Sequence, residues 1–222
     1  MYNSYDLTKL EKVPKFDEFS LSILAEYYIS SLCSNKFVYF CSDDFGNKYQ
    51  LAVSFNIGNF AHLSGIDKCV SNRYGALEIF NNIKSGTWEK NQIKKMDKSK
   101  KKSNFKDAKK RMRYMTMVYS IMQNPSVIRF NPNLVVPSTN VKSKYLITEF
   151  IENTYVHLGV DIPREIKADY EEILFPRTLL IEGKEKFLEG QAEYKVNKVL
   201  IINKSMMDSL DEVAATKDDG VE

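Results

Sequence analysis

The sequence predicts an α+β fold in which N-terminal helices pack on one face of a mostly antiparallel β-sheet. Three observations lead there. Apolar residues at three- and four-residue intervals dominate before Asn124, alternating and β-branched runs dominate after it, and the strand–helix alternation that builds parallel sheets is missing. At 222 residues the chain can bury a sizeable core. We expect one domain over 1–205 with a Lys-rich insert at about 85–103, followed by a flexible acidic tail, 206–222.

The elements follow in order. Phe16, Phe19, Ile23, Leu24, Tyr27 and Tyr28 define one apolar stripe, so Phe16–Ser34 is read as an amphipathic helix. Lys36–Ser42 is a short aromatic and β-branched run, and Asp43–Asn47 carries turn chemistry around Gly46. Tyr49, Leu51, Val53 and Phe55 then alternate with smaller or polar residues, which predicts a hairpin. Asn59–Ile66 is a short helix closed by Gly65, and Arg73–Lys84 is another helix through Leu77, Phe80 and Ile83. Ser85–Ser103 is the least ordered-looking stretch. A long helix then carries Phe105, Ala108, Met112, Met115, Tyr119 and Met122 on one face, until Asn124-Pro125 ends it.

Strand signals prevail beyond Pro125. Val127–Phe130 and Leu134–Val136 are short candidates, Lys144–Glu152 is a longer one, and Tyr155–Gly159 continues from it across a turn. Pro163–Ile173 is expected to be a short helix. Arg177–Glu182 and Lys195–Asn203 are the last strands, joined through a hairpin region at Gly183–Gly190.

Charge is distributed unevenly. The net charge is +3, yet Lys94–Arg113 alone holds eleven Lys or Arg against Asp97 and Asp107, a local balance of +9, while the rest of the chain carries −6. Such a segment is either a solvated linker leading into a helix or a phosphate-contacting surface, and a nucleic acid is the expected partner. Lys98, Lys100, Lys101, Lys102, Lys109, Lys110 and Arg113 are the candidate contacts. No apolar run reaches transmembrane length and the N-terminus has no apolar signal core, so a cytoplasmic protein without membrane association is expected. Cys33, Cys41 and Cys69 form an odd set without CxxC spacing, which fits a reducing compartment.

Several enzyme classes lack their motifs here. There is no GxxxxGK[ST] loop, no GxGxxG, no HExxH and no GxSxG elbow. With two histidines and no cysteine cluster, a His-rich or Cys-rich metal centre cannot be assembled; a carboxylate-held Mg²⁺ stays open, and a mechanism without metal or cofactor is the simpler expectation. Cleavage of RNA by its own 2′-OH needs an acid, a base and cations around the phosphorane, and His, Lys, Tyr and Arg can fill these roles. His62, just after the predicted hairpin, can be presented from a loop at a sheet edge, or can be a packed structural residue. His157 lies inside a strand-like run, where packing is its simplest role.

The order of these features resembles a known family. An N-terminal helix, an aromatic hairpin, the motif N-F-x-H-L-x-G-I at Asn59–Ile66, the segment Leu158–Ile162 and Pro176-Arg177-Thr178-Leu179 resemble a phage-associated family of predicted ribonucleases. That family belongs to the barnase, EndoU, colicin and RelE-like superfamily. The resemblance implies an antiparallel sheet face that binds RNA and metal-free endonucleolytic cleavage. It marks His62 first, then Arg177 and Thr178; in such a site Thr178 or Ser64 would orient a phosphate oxygen, and Lys195 is a weaker addition that solvent exposure on its strand explains equally well. The middle third, with its Lys-rich stretch, departs from the pattern.

Two expectations follow. One is a metal-independent endoribonuclease of a phage or mobile element, a toxin or an agent of phage–host conflict with an inhibitor as partner. The other is a non-catalytic module that holds nucleic acid, or inhibits a host or defence complex, through the basic segment.

Overall fold

The computed structural model describes residues 1–162 and 172–205. Ser20 caps the first helix, its hydroxyl accepting the Ile23 amide at 3.1 Å; such a cap stabilises a helix by about 1 kcal/mol. Helix α1 therefore runs Leu21–Tyr27 and continues as a π-helical turn over Tyr28–Cys33. The hairpin follows as β1 (Asn35–Ser42) and β2 (Lys48–Ser54), fully antiparallel. Its turn is held by the Asp43 carboxylate, which accepts the Phe45 and Asn47 amides.

Helices α2 (Asn59–Ser64), α3 (Ala76–Lys84) and α4 (Lys90–Met96) come next. Helix α4 lies within Ser85–Ser103, the stretch that looks least ordered in the sequence. Glu89 and Gln92 form a capping box, while Trp88, Ile93 and Asp97 are buried. The long helix expected through Met122 is broken into α5 (Ser103–Met115) and α6 (Val118–Gln123), with the Thr116 hydroxyl donating to the Arg113 carbonyl at the break.

The remaining strands are β3 (Ser126–Arg129), β4 (Tyr145–Ile151), β5 (Thr154–Asp161), β6 (Glu172–Glu182) and β7 (Ala192–Asn203). Leu134–Val136 is not a strand; Pro132–Leu134 forms a 3-10 turn capped by the Asn131 side chain. Of the helix expected over Pro163–Ile173, residues 163–171 lie outside the described residues, as does the tail at 206–222, while Glu172 and Ile173 are strand, the first residues of β6.

The expectation of an open antiparallel sheet with helices on one face is overturned. The strands close into a seven-stranded barrel in the order β1-β2-β6-β5-β4-β3-β7 and back to β1, and the β2–β6 pair is parallel. Closure depends on the two longest strands, each of which changes partner along its length. Residues 172–174 of β6 pair with β2 and later ones with β5, while Tyr194 to Ala192 of β7 pair with β3 and later residues with β1. Those first residues are the ones that the sequence patterns missed, because Pro176 reads as a strand boundary and Ala192-Glu193 breaks the alternation. With both strands read too short, the sheet looks open.

Alternation then sorts the side chains. Val156, Leu158, Val160, Leu174 and Leu179 join Phe37, Tyr39 and the apolar faces of the helices in one continuous core. The Tyr39 hydroxyl donates to the Met122 carbonyl and the Tyr27 hydroxyl accepts the Tyr119 amide, which ties α6 to β1 and α1. Leu146, Ile128, Phe130 and Phe187 form a second, smaller cluster that includes Leu180. Among the described residues no helix is long and apolar enough to cross a membrane.

A candidate active-site cleft on the outer face of the barrel

Helix α2 is only six residues long and ends where Gly65 takes a left-handed conformation, φ +74°. A side chain at Gly65 would press on Arg111 Cδ at 3.0 Å and on Ala108, so glycine lets α5 approach and brings Arg111 beside α2. After Gly65 the chain makes a 3-10 turn, Ile66–Lys68, which swings Asp67 back toward the helix. Asp67 Oδ2 lies 2.8 Å from His62 Nδ1. An ionised carboxylate only accepts, so Nδ1–H is the donor and the Nε2 lone pair is left for a proton from elsewhere. His62 is about half-exposed, at 54% of its side chain.

The opposite wall comes from β6. Gly159 pairs with Thr178 and Val160 with Pro176, so Arg177 is the extra residue of a β-bulge, a device that re-aims a side chain. Arg177 Nε lies 3.7 Å from Asp161 Oδ2 at the end of β5. A Cβ on Gly159 would collide with Ser143 Oγ and come within 2.8 Å of Thr178 Cγ2. Glycine there allows the loop before β4 to lie directly over Thr178.

These walls enclose a cleft of about 570 Å³ lined by His62, Arg111, Arg177 and Thr178, by Thr139–Lys142 of that loop, and by Leu180, Glu182, Lys186 and Phe187. The three residues marked first by the resemblance therefore line one cleft, although 115 positions separate His62 from Arg177. Arg111, Lys142, Arg177 and Lys186 line it with one acidic residue, Glu182; Lys186 pairs with Glu182 at 3.3 Å, while Arg111 and Arg177 reach carboxylates outside the lining, Asp107 at 3.4 Å and Asp161 at 3.7 Å. An anion is the natural occupant.

Other expected residues lie elsewhere. Ser64 is buried and its hydroxyl donates to the Ala61 carbonyl, inside α2. Lys195 is exposed on β7 opposite Ser42, outside the cleft lining. The Lys-rich set does not form one surface. Lys98 lines a separate hollow, Lys109 and Arg113 line a shallow pocket with Phe16, and Lys110 donates to the Ile181 carbonyl. Lys100 and Lys101 are exposed, whereas the Lys102 ammonium turns onto the Asp97 carbonyl.

His157 is fully buried. Its Nδ1 shares a hydrogen bond of 2.8 Å with Thr148 Oγ1, and burial, helped by Lys186, pushes its pKa down to about 4. The cysteines supply no nucleophile, since burial raises Cys33 and Cys69 to about 12 and Cys41 to about 11. Among the described residues, no group of three or more His, Cys, Asp or Glu side chains is placed to hold a metal ion.

Sequence reasoning missed Asp67, Arg111, Lys186 and the Thr139–Lys142 loop. Asp67 left a faint signal, an acid just past the glycine that closes the His62 helix; the others become visible only once β4, β5 and β6 are in register. No curated protein and no solved structure matches this chain. A family profile does match, over residues 22–200, and the span includes every wall of the cleft. The chain belongs to the phage-Barnase-EndoU-ColicinE5/D-RelE like nuclease 4 family.

Proposed function

We propose that the protein is a metal-independent endoribonuclease of a phage or mobile element that cleaves RNA by attack of the 2′-OH on the neighbouring phosphate. One observation carries the reading: a histidine oriented by a carboxylate shares a cationic cleft with Arg177 and Thr178. His62 Nε2 takes the 2′-OH proton as O2′ forms its bond to phosphorus. Arg177, with Lys142 and Arg111 on adjoining walls, stabilises the added negative charge of the phosphorane. The Thr178 hydroxyl donates to a non-bridging oxygen. The P–O5′ bond then breaks, O5′ takes a proton from water in the open cleft, the resulting hydroxide takes the proton held on His62 Nε2, and the products are a 2′,3′-cyclic phosphate and a 5′-OH.

A toxin role follows from such chemistry, because unrestricted cleavage of cellular RNA stops growth, and it implies an inhibitor that occludes the cleft. The test is incubation of the wild-type protein and His62→Ala with total cellular RNA in EDTA, with the fragment ends mapped. Cyclic phosphate ends that form in EDTA and vanish in the variant are expected. RNA left intact by the wild type, or cut equally by both proteins, would sink the proposal.

A further inference from the structure

We propose that the hollow on the far side of the Ile66–Lys68 turn binds the RNA strand flanking the scissile phosphate, an inference that rests on the ribonuclease reading above. The hollow measures about 440 Å³, and its polar lining includes Lys68, Arg73, Tyr74, Lys98 and Asn104.

Continuity with the cleft is the first argument. Asp67 orients His62, and the next residue, Lys68, lines the hollow. The cleft and the hollow share no lining residue, and the link between them is the Ile66–Lys68 turn, which holds Asp67 on His62 and places Lys68 at the hollow.

Charge and chemistry are the second. Lys68, Arg73 and Lys98 supply cations, and the lining contains no carboxylate, in contrast to the cleft with its Glu182. The Arg73 guanidinium lies 4.8 Å from the centre of the Tyr74 ring and donates to the Tyr74 hydroxyl at 2.7 Å. An aromatic ring beside a guanidinium plane is what stacks on an unpaired base, while the lysines meet phosphates.

The lining is also built in advance. Asp97 is buried, and its carboxylate accepts the Ser99 and Phe105 amides, which holds the start of α5. Burial favours the protonated acid, but these hydrogen bonds and the Lys102 charge win and keep the Asp97 carboxyl below its ordinary range. Lys101 and Lys102 take left-handed conformations, φ 55° and 54°, which non-glycine residues hold only where their surroundings fix them. Asn104 Nδ2 donates to the Lys68 carbonyl at 2.8 Å, joining this loop to the turn that carries Asp67. One part of the basic segment thereby acquires a defined place next to the cleft.

The test uses strands that cannot be cut. Short and longer all-2′-O-methyl oligoribonucleotides, with the attacking hydroxyl blocked, are titrated by fluorescence anisotropy into the wild type and a Lys68→Gln, Arg73→Gln, Lys98→Gln triple variant. The substituted residues are exposed, and circular dichroism checks the fold. The wild type is expected to bind the longer strand at least about tenfold more tightly than the short one, and the variant to lose that gain. The slope of log K against log salt should fall by about 2 for three lost contacts on a single strand. A variant that keeps the length dependence overturns the inference. So does a wild type that binds polyglutamate but gains nothing with RNA length, which would assign the hollow to an acidic protein. Failure of the ribonuclease reading is scored separately, by cleavage of unmodified RNA.

Discussion

The protein has two histidines, and their surroundings differ in every physical respect. His62 stands at the end of a short helix, half-exposed, with a carboxylate on Nδ1 and cations across a cleft. His157 sits inside the barrel wall, fully buried, with a neutral hydroxyl on Nδ1 and, among the described residues, no hydrogen-bond partner on Nε2. The first environment leaves about half of the ring open to solvent, with its Nδ1 held by Asp67. The second penalises the charge and closes off both nitrogens. Residue type alone says nothing about which histidine does chemistry; solvent access and the partner on Nδ1 do.

The largest effect is expected from removing the accessible ring. His62→Ala should lower single-turnover RNA cleavage about 10²–10⁴-fold while the thermal unfolding midpoint stays near that of the wild type. A variant that cleaves as fast as the wild type would erase the distinction between the two residues.

His157 should instead register in stability. In the unfolded chain the imidazole takes up its proton near its ordinary value of 6.5, whereas in the folded protein it does so only at about 4. The native state is thus at full strength above pH 6.5 and weakens as pH falls toward 4, below which both states are protonated and the loss stops. The total is at most about 3 kcal/mol. Urea unfolding across this range should show the decline, and His157→Gln should flatten it. An unchanged pH profile in that variant would count against the buried neutral imidazole.

The partners give smaller effects. Asp67→Asn, which removes the negative charge behind His62, should slow turnover roughly tenfold to a hundredfold with little change in KM, and Asp67→Glu should restore part of the loss. Equal losses in kcat and thermal stability would mean that Asp67 only props the turn. Thr148→Val should cost about 1 kcal/mol in urea unfolding and leave cleavage untouched; a fall in cleavage would draw His157 into the reaction.

Much of the local structure was legible in the sequence. The β1–β2 hairpin lies where Gly46 and the alternation from Tyr49 place it, and His62 lies on a helix closed by Gly65, as its segment predicts. Barrel closure was not legible, because pairing between β2 and β6 depends on residues 172–174, which carry no alternating pattern beside Pro176. The cleft was readable in its resemblance-borne parts, His62, Arg177 and Thr178. Arg111, Lys186 and Thr139–Lys142 were not, since each is an ordinary surface residue until a bulge and a glycine bring it to the same hollow. The places of the Lys-rich residues were not legible either: Lys98 lies at a hollow, Lys109 and Arg113 beside Phe16, and Lys110 on the Ile181 carbonyl, although all are close in the chain.

The closed barrel also limits how any inhibitor can act. Each strand has two neighbours, and among the described residues the long edges without a second strand partner are those of β6 beyond Leu174 and of β7 beyond Tyr194, the first of which carries Arg177 and Thr178 at the cleft. An inhibitor of the proposed ribonuclease would act at the cleft, where the cations favour one that presents aspartate or glutamate on a loop or helix. Immunity would then be encoded in the charge pattern of the inhibitor's surface, and a few reversed charges on either partner would be enough to re-pair them.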